Sequence, residues 1–243
     1  MSTEINYRST VAPPNFIPPL NNGDHLTRSE FERRYHAMPP GTKAELIEGV
    51  VYMASPVRVN GHGKPHAQII ALLFTYCLAT PGLEIGDNIT VRLDLDNEPQ
   101  PDVAVWVSED CGGRAIISDD DYLEGAPELI VEVAASSAAY DLHEKLRLYR
   151  RHGVEEYLVW RAYDGAFDWF SLQNEEYVRL MPDDTGLIAS RVFPGLQLNV
   201  VALLKGDTAG AADNLQAGLR DESHTAFVAQ LAAHAKKPVS VTS

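Results

Sequence analysis

Three neighbouring segments in the middle of the chain most constrain its fold. Residues 129–134 are apolar and β-branched, which predicts a buried strand, and residues 156–160 predict a second one. Between them, residues 140–152 carry Leu142, Leu146 and Tyr149 at helical spacing, and Gly153 follows at a position typical of a helix end. A strand, a helix and a strand in this order predict a crossover between parallel strands.

Further strand candidates surround this unit. Residues 83–85, 89–95 and 103–107 precede it, and residues 166–171 and 176–180 follow it as a meander. Helical patterns cover residues 27–37, where Thr27 and Glu30 form a capping-box pattern, and residues 66–78. The sequence therefore predicts an α/β fold with a mixed β-sheet flanked by helices.

The predicted domain is bordered by two segments of different composition. Residues 1–24 are rich in proline and are expected to form an extended or disordered arm. Residues 25–204 are expected to form the domain. Residues 205–243 are expected to be a linker followed by an Ala-rich C-terminal helix or tail.

The location of the protein is constrained by what its sequence lacks. No apolar run approaches the ~20 residues that span a bilayer, and the first residues lack the basic and then apolar pattern of a secretory signal. We therefore expect a cytoplasmic protein that does not bind a membrane. Cys77 and Cys111 form neither a disulfide framework nor a metal-binding knuckle.

The net charge of −14 argues against nucleic-acid binding, because phosphate contacts usually require a basic surface. A local basic run, Arg147, Arg150, Arg151 and His152, is the exception. It either contacts phosphate or interacts with the dipole at the end of its own helix.

Two carboxylates lie in sequence that otherwise predicts buried strands. Asp102 follows Pro101 at the start of one strand, and Glu132 lies in the middle of another. Desolvating a lone carboxylate costs several kcal/mol or more, so each needs a compensating partner. If neighbouring strands align the two acids, a divalent cation that prefers oxygen ligands would compensate both. For Glu132, the alternative is a strand with one face exposed to solvent.

Other polar residues could complete such a site. Asp141, Lys145 and Tyr149 are four residues apart and share one helix face, so Lys145 either pairs with Asp141 or reaches over the carboxylates. Glu48 is a third acid in apolar sequence, and it belongs either to the site or to an exposed helix end.

Two histidines lie near the start of the second predicted helix, His62 before it and His66 at its first position. His66 could cap this helix or line a cleft, although a structural role is the simpler interpretation. His62 and His66 have the spacing of helical zinc ligands, but Gly61, Gly63 and Pro65 argue against a helix there, so we do not expect a zinc site.

An ordered set of residues between positions 27 and 195 resembles the Uma-type restriction endonuclease family, a bacterial branch of the PD-(D/E)XK nuclease superfamily. The set comprises Glu48-Gly49, Ser55-Pro56, His66, Pro101-Asp102-Val103, Glu132-Val133, Ser136-Ser137, Asp141, Lys145, Tyr149, Gly153 and Glu156-Tyr157. The resemblance implies a restriction-endonuclease-like core. It also implies that Asp102 and Glu132 are metal ligands, that Glu48 is the acid from the preceding helix, and that the ion is Mg²⁺, with Mn²⁺ as an alternative.

The sequence departs from the superfamily pattern at one position. The Glu-x-Lys pattern places a lysine where this chain has Ala134. The lysine of the Uma-type branch comes from the following helix, which implies Lys145 here.

The leading hypothesis is thus a Mg²⁺-dependent DNA endonuclease. Asp102, Glu132 and the Val133 carbonyl would hold the metal. Lys145 would position the nucleophile or stabilise the transition state, and Glu48 would bind a second ion or assist through water. A homodimer is expected, because two-fold symmetry suits duplex DNA. One alternative is a non-catalytic or regulatory binding protein that keeps the fold, which an acidic rim around the site would favour. Another is a hydrolase of small phosphate esters, which would need a closed pocket.

Overall fold

A computed structural model describes residues 16–54, 56–135 and 137–235. The helices are α1 (Arg28–Tyr35), α2 (Lys64–Ala79), α3 (Ala138–Tyr140), α4 (Leu146–Arg151), α5 (Val200–Leu204), α6 (Thr208–Gly218) and α7 (Glu222–His234). The strands are β1 (Ala44–Ile47), β2 (Val50–Met53), β3 (Leu83–Asp87), β4 (Val91–Arg92), β5 (Val103–Val107), β6 (Ile116–Ile117), β7 (Leu123–Glu124), β8 (Leu129–Ala134), β9 (Glu156–Arg161), β10 (Ala166–Gln173), β11 (Glu176–Leu180), β12 (Leu187–Ala189) and β13 (Gln197–Asn199). Two π-helical turns, Val59–Gly63 and Asp141–Lys145, lead into α2 and α4 respectively.

A mixed six-stranded sheet forms the centre of the fold, with strand order β11-β10-β9-β8-β5-β3. Strands β8 and β9 are parallel, in a register that pairs Leu129 with Glu156 and Ala134 with Arg161. The other neighbouring strands are antiparallel. The predicted crossover and the mixed sheet are therefore confirmed.

Helices cover both faces of this sheet. Strand residues alternate between its two sides, and the buried strands carry apolar side chains on both. Val131 and Val133 belong to a core formed with α2 and the C-terminal helices. Ile130 and Ala134 belong to a second core with α4. Glu132 has the same parity as Ile130 and Ala134, so its side chain faces the helix that follows β8.

A hairpin of β1 and β2 lies beside the main sheet. Its two-residue turn, Glu48-Gly49, has positive φ at both positions (52° and 72°), which is the type I′ geometry that suits the strand twist. Leu20, Phe31 and Val51 are buried together against the hairpin. The last residues of the expected arm thus contribute to packing, whereas residues 1–15 lie outside the described residues.

The C-terminal segment forms two helices that pack on the domain. Leu215 of α6 and Leu231 of α7 are buried, and Gly218 lies against the backbone of Gly195. His224 Nε2 lies 2.9 Å from the hydroxyl of Thr80, at the end of α2. Residues 208–234 are therefore part of the packed structure, and the last eight residues, 236–243, lie outside the described part.

Two local predictions are wrong. The strand expected at 89–95 is reduced to β4, which pairs with β7 and whose buried Arg92 forms ion pairs with Glu32, Asp120 and Glu124. The capping box at α1 does not form, since Glu30 pairs with Arg33 and Arg34 instead of bonding to the start of the helix. No helix in the described ranges is long and apolar enough to cross a membrane.

Candidate active site

A cleft of about 1130 Å³ opens beside the N-terminal end of β5 and the C-terminal end of β8. Its walls come from the β1–β2 hairpin, the turn before α2 and the helical segment from α3 to α4. Its charged and histidine side chains are Lys43, Glu45, Arg58, His62, Asp102, Glu132, Asp141 and Lys145. All four carboxylates of this set are half-buried or buried.

Asp102 is anchored to the neighbouring strand and to a histidine. Its Oδ2 accepts the Val133 N–H at 2.7 Å, and its Oδ1 lies 2.9 Å from His62 Nε2. Burial alone would raise the pKa of Asp102, but the contacts with His62 and the Val133 amide hold it below its ordinary value. The carboxylate is therefore ionised and fixed in position, and its remaining lone pairs can bind a cation.

The Val133 carbonyl has no backbone donor opposite it on the β5 side, because the residue there is a proline. Glu156 N–H and Ala162 N–H bond to the carbonyls of residues 128 and 134, so the even-numbered residues of β8 face β9 and Val133 faces β5. Val131 pairs with Val103 in antiparallel register, which places Pro101 opposite Val133. Proline has no N–H, so it cannot donate the next bond of the ladder.

Lys145 is a buried cation between two glutamates. Its Nζ lies 2.8 Å from Glu132 Oε1 and 2.8 Å from Glu45 Oε1, and Tyr149 donates its hydroxyl to Glu132 Oε1 at 3.3 Å. Burial would lower the pKa of Lys145, but Glu132 and Glu45 raise it well above its ordinary value, so the lysine is charged. Burial raises the pKa of Glu132 well above its usual range, although Lys145 opposes the shift.

Asp141 adds a further acid to the same cluster. Ser137 donates to its Oδ2 at 2.6 Å, and burial raises the pKa of Asp141 to about 6 against the opposing charge of Lys145. Its π-helical turn places Asp141 and Lys145 together in the buried layer under the cleft. π-Helical turns of this kind are frequent at functional sites.

The donor set of the cleft fits a divalent cation that prefers oxygen ligands. Four carboxyl groups lie around one buried ammonium group and one histidine, and burial raises the pKa of two of them, Glu132 and Asp141. A bound cation would favour the ionised forms of these two carboxyls. Within the described ranges, no three or more His, Cys, Asp or Glu side chains are grouped as ligands of one metal ion. A cation here would therefore depend on Asp102, Glu132, the Val133 carbonyl and water.

Of the five residues to which the leading hypothesis assigns a role, four lie together in the cleft, namely Asp102, Glu132, Val133 and Lys145. Asp141, which shares the helix face of Lys145, lies there as well. The expectation that Glu48 is an acid from a helix is wrong. Glu48 occupies the hairpin turn, is exposed, and forms an ion pair with Arg151. Glu45, three residues earlier in β1, is the acid that contacts Lys145. The signal for this arrangement was the x-Gly turn between two apolar runs, which is typical of a hairpin.

The histidines also differ from expectation. The glycines at 61 and 63 do not prevent helical structure, because Val59–Gly63 forms a π-helical turn that continues into α2. The His62 and His66 ring centroids are 5.2 Å apart, and His66 Nε2 lies 3.1 Å from Asp87 Oδ1. His62 was missed as a site residue, and the contact with Asp102 raises its pKa.

Two cations lie at the rim of the cleft, and neither belongs to the basic run after Lys145. Lys43 and Arg58 are exposed, whereas the four carboxyl groups that line the cleft are half-buried or buried. Within the basic run, Arg150 pairs with Glu176, and His152 lies 2.8 Å from Asp94. The exposed charged side chains that line the cleft are therefore basic, although the whole chain is acidic.

Residues 28–201 match the sequence profile of Uma2, a family described as "Putative restriction endonuclease". The chain belongs to this family. Ser55 and Ser136, two residues of the family resemblance, lie outside the residues that the structure describes.

The fold is also similar to a solved structure. The crystal structure of a protein from Anabaena variabilis, described as a "putative nuclease belonging to DUF820", superposes with a TM-score of 0.58 at 14% sequence identity. The match covers 74% of this chain and 98% of that one. This similarity supports the fold alone, and no curated protein matches the sequence significantly.

Proposed function

We propose that this Uma2 protein is a metal-dependent endonuclease that hydrolyses phosphodiester bonds of DNA, with Mg²⁺ or Mn²⁺ as the cofactor. The observation that carries the proposal is that Asp102, Glu132 and Val133 line one cleft beside the buried Lys145, and that Pro101 opposite Val133 cannot donate to its carbonyl. Hydrolysis adds one water across a P–O bond: the water oxygen bonds to phosphorus, and the leaving sugar oxygen takes up a proton.

Asp102, Glu132 and the Val133 carbonyl would hold the metal ion. When bound, the ion would lower the pKa of a coordinated water and neutralise charge on the scissile phosphate. His62 and the Val133 amide keep the Asp102 carboxylate ionised and in place for this role. Ala134 leaves the strand without the lysine of the superfamily pattern.

Lys145 would supply the missing positive charge from the helix. Its ammonium has three donors, and Glu132 and Glu45 accept from it at 2.8 Å each, which leaves capacity for a water or a phosphate oxygen. A preorganised cation in a buried site stabilises developing negative charge more effectively than one in water. Glu45, rather than Glu48, is the acid of the β1–β2 hairpin that would orient Lys145.

The surroundings of the site favour a nuclease over the two alternatives. The cleft lies open to solvent at Val57 and Arg58, whereas a hydrolase of small esters would enclose its substrate. The exposed Lys43 and Arg58 would contact phosphate, and an acidic rim would have favoured a different partner.

Cleavage of supercoiled plasmid and of single-stranded DNA, with Mg²⁺ or Mn²⁺, tests the proposal. The comparison includes wild type, Asp102→Asn, Glu132→Gln and Lys145→Met, with folding checked by circular dichroism. Two matched controls are Glu48→Gln, outside the cleft, and Glu128→Gln, a buried glutamate that accepts the Val107 amide.

We expect metal-dependent cleavage that each of the three site variants lowers by about 100-fold or more, and that both controls retain. Absence of metal-dependent cleavage by folded wild type would overturn the proposal, as would full activity of Asp102→Asn and Glu132→Gln.

A further inference from the structure

The rim of the cleft offers an exposed aromatic side chain beside the candidate active site. Tyr163, in the turn between β9 and β10, lines the cleft and is 57% exposed. Ligand pockets are lined mainly by hydrophobic and aromatic side chains, so an aromatic ring at the edge of the cleft is a candidate contact for a ligand.

The Tyr163 ring packs directly against Gly61 at the rim of the cleft. A Cβ atom at position 61 would lie only 2.5 Å from Tyr163 Oη and 2.8 Å from Cε1, so the ring rests where only glycine leaves room. The next residue, His62, contacts Asp102. The Tyr163 ring therefore packs on the same turn that carries His62, the residue in contact with the candidate metal ligand Asp102.

The turn that carries Tyr163 is itself tied down. Arg161 donates to Asp164 at 2.6 Å and to Asp168 at 2.6 Å, which links the two ends of the β9–β10 connection. An aromatic ring held in this way loses little conformational freedom on binding a ligand.

The charges around the cleft are few. Lys43 and Arg58 are its exposed cations, Lys145 is buried, and Arg58 makes no ion pair with the residues that the structure describes. Proteins that hold a duplex through its backbone contact about 6–10 phosphates. Two rim cations on a chain of net charge −14 fall well short of this number.

We propose that the substrate strand of this site is unpaired nucleic acid, with a base stacked on Tyr163 and the flanking phosphates held by Arg58 and Lys43. This inference rests on the proposed function. Every base has an aromatic face that stacks on a tyrosine ring, and this face is accessible only when the base leaves the duplex stack. A single strand has no two-fold axis, so one protein chain is enough to bind it, whereas a homodimer is expected for a duplex.

Fluorescence anisotropy with labelled 20-nucleotide probes tests this inference, with Ca²⁺ as an oxygen-preferring ion. The probes are single-stranded DNA, RNA of the same sequence and the DNA duplex. The proteins are wild type, Tyr163→Ala, Tyr163→Phe and Arg58→Ala. Phe74→Ala is the matched control, because Phe74 is a similarly exposed aromatic residue on α2, away from the cleft.

We expect at least one single strand to bind about 10-fold or more tightly than the duplex. Tyr163→Ala should weaken this binding roughly 5- to 150-fold, which is the range for loss of one stacked base. Tyr163→Phe and Phe74→Ala should stay close to wild type. The DNA and RNA arms identify which strand the site prefers.

The dependence on salt provides an independent measurement. Two phosphate contacts predict a slope of log K against log salt of about −1.4 for a single strand, and Arg58→Ala should reduce its magnitude by about 0.7. A steep slope typical of many phosphate contacts would contradict the proposed binding mode.

Duplex binding as tight as single-strand binding, or unchanged binding by folded Tyr163→Ala, would overturn the inference. If Tyr163→Ala still cleaves duplex plasmid normally, the inference fails while the nuclease proposal stands. If single strands bind through Tyr163 but no substrate is cleaved, the nuclease proposal fails while the binding surface stands.

Discussion

Replacing Lys145 with methionine should expose how strongly the site depends on one buried cation. The Lys145 side chain is 4% exposed, and its Nζ contacts Glu132 and Glu45 at 2.8 Å each. Removal of one partner from a buried ion pair costs about 3–5 kcal/mol, because the remaining charge is left uncompensated. Since about 1 kcal/mol corresponds to 2–4 °C in a chain of this size, Tm should fall by roughly 6–20 °C.

The loss of stability should depend on pH. Burial raises the pKa of Glu132, and the charge of Lys145 opposes this shift. Without the positive charge of Lys145, the carboxyl groups around it must take up protons to remain buried. The destabilisation caused by Lys145→Met should therefore be larger at pH 8 than at pH 5.

Urea denaturation followed by tryptophan fluorescence at both pH values measures this effect. Lys205→Met is the matched control, because Lys205 is exposed at the end of α5, and its free energy of unfolding should change by less than about 0.5 kcal/mol. A loss below about 1 kcal/mol for Lys145→Met, or an equal loss at both pH values, would refute the reasoning.

Three further predictions address other parts of the molecule. Burial and the nearby Glu32 charge raise the pKa of Glu98 to about 7, so the folded protein keeps this carboxyl protonated at pH values where the unfolded chain ionises it. The free energy of unfolding therefore falls as pH rises from about 4.5 to 7. Glu98→Gln should therefore stabilise the protein by about 2–3 kcal/mol at pH 8 and little at pH 4, as measured by urea denaturation. Leu215→Ala should lower the free energy of unfolding by about 2–5 kcal/mol in the same assay if α6 belongs to the core. A loss under about 1 kcal/mol would show that α6 does not belong to the core. Saturating Mg²⁺ should raise the Tm of wild type but not of Glu132→Gln, and an equal rise in both would place the ion elsewhere.

Much of the central fold could be predicted from local sequence. The parallel crossover follows from two apolar strand patterns around one amphipathic helix, and both strands pair as expected. Asp102 and Glu132 stood out because each interrupts a buried strand pattern with a charge. These signals are local, since they depend on strand alternation and on the cost of burying a carboxylate.

The missed site residues depend on long-range contacts. Whether Glu45 or Glu48 faces the cleft is decided by the hairpin register, and only Glu45 lies within a strand. His62 reaches Asp102 because its turn is π-helical, and the Tyr163 ring that packs on Gly61 is about 100 positions away in the chain. Neither contact leaves a periodic pattern in the sequence.

The C-terminal segment shows the same limit. Its Ala-rich composition predicts a helix but not its location, because alanine patterns carry little information about a packing partner. Packing is decided instead by close contacts, such as Gly218 against Gly195 and His224 with Thr80.

Calorimetric titration of Mn²⁺ into the purified protein tests the central claim most directly. The account predicts that wild type and Glu128→Gln bind the ion, whereas Asp102→Asn and Glu132→Gln lose most of this binding. Equal Mn²⁺ binding by all four proteins, or no binding by wild type, would contradict a metal centre built on Asp102 and Glu132.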